Sequence, residues 1–194
     1  MTEKTSLWQR IKNHFKKSPN SDDAPKRTVV IVTNDNNVPN NRPRVDKMSD
    51  FSKVLVASDI ILDVDASSKI ELLKYIAKFA HETDSKIDSE ALYGKLIMRE
   101  NQASTQMGGG VVMPHAMDSS ISKLRAIILK LKNPIVWAQG EKVDVVVSLL
   151  IPDPEKDYQH VPYMSTLARL MLKKDFLKSL KQAKSSEAVL RLFS

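Results

Sequence analysis

The 194-residue chain contains no cysteine. That absence removes disulfides, thiolate metal sites and a thiol nucleophile together, so any covalent chemistry falls on another side chain. Histidine leads what remains. Long apolar runs are also missing: the longest, Val143 to Ile151, is interrupted by Asp144 and Ser148 and is far shorter than the roughly 20 residues of a helical membrane span. The N-terminus carries Glu3, Lys4, Arg10, Lys12, Lys16 and Lys17 where a secretory signal would have its apolar core, so a cytoplasmic location is expected. Charge bias is weak in the body of the chain. Of the formal net charge of +7, residues 1–50 contribute ten Lys/Arg against six Asp/Glu, and the remainder twenty against seventeen. A nucleic-acid binder would show a dense basic face or stripe, so no nucleic-acid partner is expected.

Glycine is scarce too. Three of the five glycines, Gly108, Gly109 and Gly110, stand together in Ser104-Thr105-Gln106-Met107-Gly108-Gly109-Gly110-Val111-Val112-Met113-Pro114-His115. Glycines let a backbone take positive φ or approach a ligand, the apolar triplet reads as a short buried strand, and Pro114 fixes φ just before the imidazole. The stretch is shaped to present His115.

Around it the chain divides in two. Residues 5–17 place Leu7, Trp8, Ile11 and Phe15 at helical spacing with lysines and Arg10 elsewhere. This is either a weakly structured tail or a short basic amphipathic helix that docks weakly on a membrane surface or a protein partner. Residues 18–47 are rich in Asn, Asp, Ser and Pro and read as a linker, with one strand-like Val/Ile segment at 28–33. Globular character starts near Phe51. Ile60 to Val64 reads as a strand, and Ser68-Lys69-Ile70-Glu71 is a capping-box pattern opening a helix that buries Ile70, Leu73, Ile76, Ala77 and Ala80. A second helix is expected from Asp88 or Ser89 to Arg99 or Glu100. Strands follow at Arg125 to Leu131, Ile135 to Trp137 and Val143 to Ile151, with turns at Asn133-Pro134 and Gln139-Gly140, and the last strand reads as central. Helical spacing returns from His160. The expected fold class is α/β: one layered domain with a central mixed β-sheet flanked by helices over 51–194, plus an extension over 1–50.

Met98-Arg99-Glu100, then Ser104-Thr105-x-x-Gly108-x-Gly110-Val111-x-x-Pro114-His115, then Gln159-His160, then Leu167-Ala168-Arg169-Leu170 together resemble the fructose/mannitol-type enzyme IIA domain of the bacterial phosphoenolpyruvate-dependent phosphotransferase system. The resemblance covers residues 51–194. It implies that His115 is phosphorylated by the phosphocarrier HPr and passes the phosphoryl group to an enzyme IIB, usually on a cysteine. Since this chain has none, that IIB is a separate chain. Arg99 and His160 map onto the family's arginine and second histidine, both facing the phosphoryl group. The resemblance implies no metal and no diffusible cofactor, and His115, His160 and Asp118 fit no metal-ligand spacing. Two positions depart from the pattern: Tyr158-Gln159-His160 stands where relatives commonly have Asn-Glu-His, and Gly109 where they often have Asn.

The chemistry is consistent with these assignments. A neutral imidazole has a lone pair for attack on phosphorus. The metaphosphate-like group in transfer asks chiefly for positioning and charge stabilisation. Arg99 supplies a permanent planar donor set and His160 a switchable one. The backbone N–H groups of Gly108, Gly109 and Gly110, with the Ser104 and Thr105 hydroxyls, are the expected receivers of the remaining oxygens. The other reading is a stand-alone regulatory module whose phosphorylation state controls a protein partner. The N-terminal extension favours it modestly.

Overall fold

The structure, a computed structural model, describes residues 49–193. The expected helix at 5–17, the linker at 18–47 and the Val/Ile segment at 28–33 lie outside the described residues. In chain order the elements are β1 (Ile60–Val64), α1 (Lys69–Thr83), α2 (Ser89–Gln102), β2 (Gln106–Gly108), β3 (Val111–Val112), β4 (His115–Asp118), β5 (Arg125–Val136), β6 (Lys142–Pro152), α3 (His160–Met171), α4 (Lys174–Gln182) and α5 (Ser186–Leu192). Two short 3-10 turns, Phe51–Lys53 and Ala57–Asp59, precede β1.

The six strands form one mixed sheet in the order β1-β5-β6-β3-β2, with β4 also paired to β6. β6 is the central strand: it runs antiparallel to β5 and parallel to β3 and β4. Its residues from Val145 to Ile151 are all buried, because helices cover both faces. Period-two alternation divides them. Val146 and Leu150 join Ile127 and Leu129 of β5 in a core beneath α1 and α2. Val145, Val147, Leu149 and Ile151 join Ala126 and Ile128 in a second core beneath α3, α4 and α5. The expected layered α/β architecture is the observed one.

Local chemistry sets the boundaries. The Ser68 side chain accepts from Glu71 N–H and opens α1, while the Glu71 carboxylate turns back onto Ser67 N–H and hydroxyl. The reciprocal half of the capping box is thus made one residue upstream of the cap. Asp88 caps α2 by accepting from Glu90 and Ala91 N–H, both at 3.0 Å. Gln139 and Gly140, with φ of 51° and 79°, make the β5–β6 hairpin turn, a pair of left-handed residues that suits the twist of the flanking strands.

Two expectations are corrected here. Ile70 is 57% exposed and Leu72 takes its place in the core. At 100° per residue Ile70 falls about 90° from the centre of the stripe formed by Leu72, Leu73, Ile76, Ala77 and Ala80. Asn133-Pro134 is not a turn between strands. β5 continues through it with an irregular register between Lys130 and Ile135, and the exposed Lys132, Asn133 and Pro134 accommodate the proline as a bulge, where a missing ladder N–H costs nothing.

Candidate active site

β3 and β4 lie end to end along the same side of β6, pairing Val111 with Val145 and His115 with Leu149. The interruption falls at Met113-Pro114, where Met113 N–H bonds back to Thr105 O at 2.9 Å and Pro114 O accepts from Leu149 N–H at 3.1 Å. Proline has no N–H to offer a ladder, so the strand breaks there and restarts with His115 as its first residue. Across from it, Lys95, Met98, Arg99 and Gln102 form one stripe of α2 at i, i+3, i+4, i+7. This stripe, together with His115, Ala116 and Met117 of β4, Ile151 and Asp153 at the end of β6, and His160 at the start of α3, lines an open cleft of about 420 Å³.

Within it, His115 Nδ1 lies 2.9 Å from Met113 O, and Arg99 Nε donates to His115 Nε2 at 2.9 Å. A carbonyl oxygen only accepts, so the proton is assigned to Nδ1 and the Nε2 lone pair is directed at the cleft. Burial of the ring pushes the His115 pKa below the ordinary histidine value, against the Met113 carbonyl, which favours the protonated form. The charges of Arg99 and His160 lower it further, and Glu100 opposes them. A proton NMR titration is therefore expected to place the His115 midpoint below about 6.5. A midpoint at or above that value contradicts the geometry. Because the folded value is the lower one, the contribution to stability is complete above the unfolded value and is lost as pH falls through the folded midpoint.

Arg99 and Glu100 are adjacent in the last turn of α2 but diverge. Arg99 Nη1 donates to Ala103 O at 2.9 Å, which steadies the guanidinium against the chain leaving the helix. Glu100 turns into the core. Its carboxylate accepts from Thr105 N–H at 3.0 Å, Thr105 Oγ1 at 2.6 Å and Trp137 Nε1 at 2.8 Å, with Lys69 Nζ 4.0 Å away. The network fixes the 103–105 segment on which Arg99 rests. Replacing Glu100 with alanine leaves several buried donors unpaired, and the expected loss of stability is about 3 kcal/mol, to be read from urea unfolding. A loss below about 1 kcal/mol would show that the network is dispensable.

His160 begins α3, and Pro162 sits in the first turn, where no intrahelical N–H is needed. Its ring Nδ1 is paired with the Glu155 carboxylate. The structure thus brings three of the expected site residues, His115, Arg99 and His160, to one cleft.

It does not bring the other five there. Thr105 is buried and committed to Glu100, and exposed Ser104 makes a local 3.4 Å contact with Gln106 N–H. Gly108, Gly109 and Gly110, with φ of 83°, 62° and 79°, turn from β2 into β3 next to α4. A Cβ on Gly109 would lie 2.9 Å from Leu177, and one on Gly110 2.5 Å from Lys181 and 2.7 Å from Asp144. Gly110 O accepts from Asp144 and Val145 N–H, four β6 residues before Leu149, or about 13 Å along the strand from His115. The expectation that these glycines and hydroxyls receive phosphoryl oxygens is corrected accordingly. Their spacing serves a tight turn and close backbone packing instead. Glu155 and the Glu100–Trp137 bond were missed by sequence reading, since neither lies at a motif spacing. Asp118 accepts from Ser120 N–H and pairs with Lys95 at 3.1 Å.

The sheet topology and this cleft define a domain class, and comparison with known proteins places the chain in a family. Residues 53–194 match the family described as "Phosphoenolpyruvate-dependent sugar phosphotransferase system, EIIA 2", and the chain belongs to it. It is 30% identical over 148 residues to a "Nitrogen regulatory protein homolog" of Haemophilus influenzae, covering 74% of this chain and 90% of that one. It is 27% identical over 137 residues to a "PTS system fructose-like EIIA component" of Escherichia coli, covering 70% and 92%. In fold it is similar to the nitrogen regulatory protein IIA-Ntr of Neisseria meningitidis, with a TM-score of 0.68 at 24% identity over 75% of this chain and all of that one. It is also similar to a structure from Escherichia coli described as a complex of mannitol enzyme IIA with phosphorylated enzyme IIB, with a TM-score of 0.59 at 16% identity, covering 72% of this chain and 96% of the matched one. No helix among the described residues is long and apolar enough to cross a membrane.

Proposed function

We propose that the protein is a phosphocarrier of the phosphotransferase system: His115 Nε2 accepts a phosphoryl group from phospho-HPr and passes it to an enzyme IIB on a separate chain. The observation that carries this reading is the pair of hydrogen bonds on His115. Met113 O holds the proton on Nδ1, so Nε2 is a nucleophile without a separate base. Arg99 already donates to that nitrogen, and a small movement of the guanidinium transfers its donors to the equatorial oxygens of the incoming group. Attack forms the N–P bond at Nε2 as the donor's N–P bond breaks, and the reverse balance holds for transfer onward. The role carried by Arg99 is charge stabilisation. The role carried by His160, which lines the same cleft, is a second donor.

A regulatory output of the same chemistry is the second reading. It is favoured by the relatives named as nitrogen regulatory proteins, and the phosphorylation state of His115 is then the signal read by a partner. Incubating the full chain with enzyme I, HPr and phosphoenolpyruvate, followed by intact-mass spectrometry at neutral to alkaline pH, tests the shared chemistry. One acid-labile phosphoryl adduct is expected, and its discharge on adding the cognate IIB supports the carrier over the regulator. No adduct on the folded chain, with the other components shown to be active, rejects both.

A further inference from the structure

The side chain of Glu155 is 4% exposed although it belongs to the irregular segment between β6 and α3. The chain returns from it through Asp157 and Tyr158, both left-handed at φ of 58° and 49°. That turn brings His160 back onto the carboxylate at two points: Oε1 accepts the His160 backbone N–H at 2.7 Å, and Oε2 is bonded to ring Nδ1. A carboxylate held this way fixes both the helix start and the ring orientation. It also assigns the proton: an ionised carboxylate only accepts, so Nδ1 carries the hydrogen.

The opposite ring edge, with Nε2, then belongs to the cleft shared with His115. A neutral ring in this tautomer offers only a lone pair at Nε2, which repels a phosphoryl oxygen. It becomes a donor there only by taking a second proton. We propose that Glu155 is the positioning residue of His160, fixing its tautomer and pairing with the imidazolium formed when His115 carries a phosphoryl group. This rests on the phosphocarrier reading above. The second proton comes from bulk water as the N–P bond forms at His115, and returns to water when the group moves on. The charged and titratable groups facing His160 are Lys95 and Arg99 from α2, His115 from β4, and Asp153 and Glu155 from the segment around the end of β6. The arriving dianion tips that set toward a proton on Nε2.

Long-range proton–nitrogen correlation spectra of the full chain labelled with ¹⁵N-histidine test the assignment. The expected result is His160 with Nδ1 protonated before phosphorylation and both nitrogens protonated after it at neutral pH. A ring protonated only at Nε2 in the free chain, or unchanged on phosphorylation, overturns the proposal. In Glu155→Gln, one of the two acceptors becomes an amide donor. The Nδ1–H signature is expected to weaken and phosphoryl uptake to slow about tenfold, as for partners that orient a functional histidine. In a His160→Ala background, Glu155→Gln is expected to change the rate less than twofold, since it acts through His160. A full tenfold effect there overturns the positioning role. If wild type takes no phosphoryl group, the carrier reading fails, while the tautomer of the free chain and its response to Glu155→Gln still decide what Glu155 does.

Discussion

His115→Ala is expected to reduce phosphoryl uptake from phospho-HPr to background, with the full chain still folded. No other described histidine replaces it. His160 Nδ1 is tied to Glu155, and His81 Nδ1 is bonded to Ile87 O at 2.8 Å near the end of α1. Among the described histidines, only at His115 does a main-chain carbonyl hold the proton on Nδ1 while a guanidinium meets Nε2. Covalent catalysis has no residual route once the nucleophile is gone, so the effect is all-or-none. Intact mass is the measurement, and an adduct retained by a folded His115→Ala chain refutes the assignment.

Arg99→Gln is expected to slow transfer roughly 100-fold or more, the scale of deleting one preorganised donor from a site of developing charge. Three effects combine. The phosphoryl oxygens lose their permanent cation, the 103–105 segment loses the Nη1 bond to Ala103 O, and His115 loses one of the charges that lower its pKa. The last effect has its own readout: the His115 midpoint should move up in Arg99→Gln. It acts against the reaction only near and below that midpoint, so most of the loss at neutral pH belongs to the missing donor. Arg99→Lys is not expected to rescue, because an ammonium cannot reproduce the planar fork that reaches both Nε2 and Ala103 O. Single-turnover rates with phospho-HPr decide this, and a Gln variant within threefold of wild type would remove Arg99 from the reaction.

Much of the fold and the centre of the candidate site were legible in sequence because they depend on local rules. The Ser68 and Asp88 caps, the Gln139-Gly140 turn and the unbroken burial of Val145 to Ile151 follow from spacing, turn chemistry and apolar content. His115 was marked by the glycine run and Pro114 ahead of it, and Arg99 and His160 by the family resemblance, whereas the cleft residues Lys95 and Gln102 of α2 carried no signal of their own. The glycine run misled, since positive φ is needed equally by a ligand cradle and by a tight turn packed under a helix, and only the approach of Leu177 and Lys181 from α4 distinguishes them. Thr105 failed for a related reason: a hydroxyl near a motif is available to a ligand only if no buried carboxylate claims it, and Glu100 claims Thr105. Glu155 reaches His160 through a loop of two left-handed residues with no periodicity to read. Trp137, legible only as the end of an expected strand, is buried and donates to Glu100.

The central claim is that His115 Nε2 carries the phosphoryl group while Nδ1 keeps its proton on Met113 O. Nitrogen–phosphorus NMR of the ¹⁵N-histidine-labelled phosphoprotein tests it most directly. The account predicts phosphorus coupling at Nε2 of His115 with Nδ1 still protonated. Phosphorus on Nδ1, or on any other residue, would contradict it.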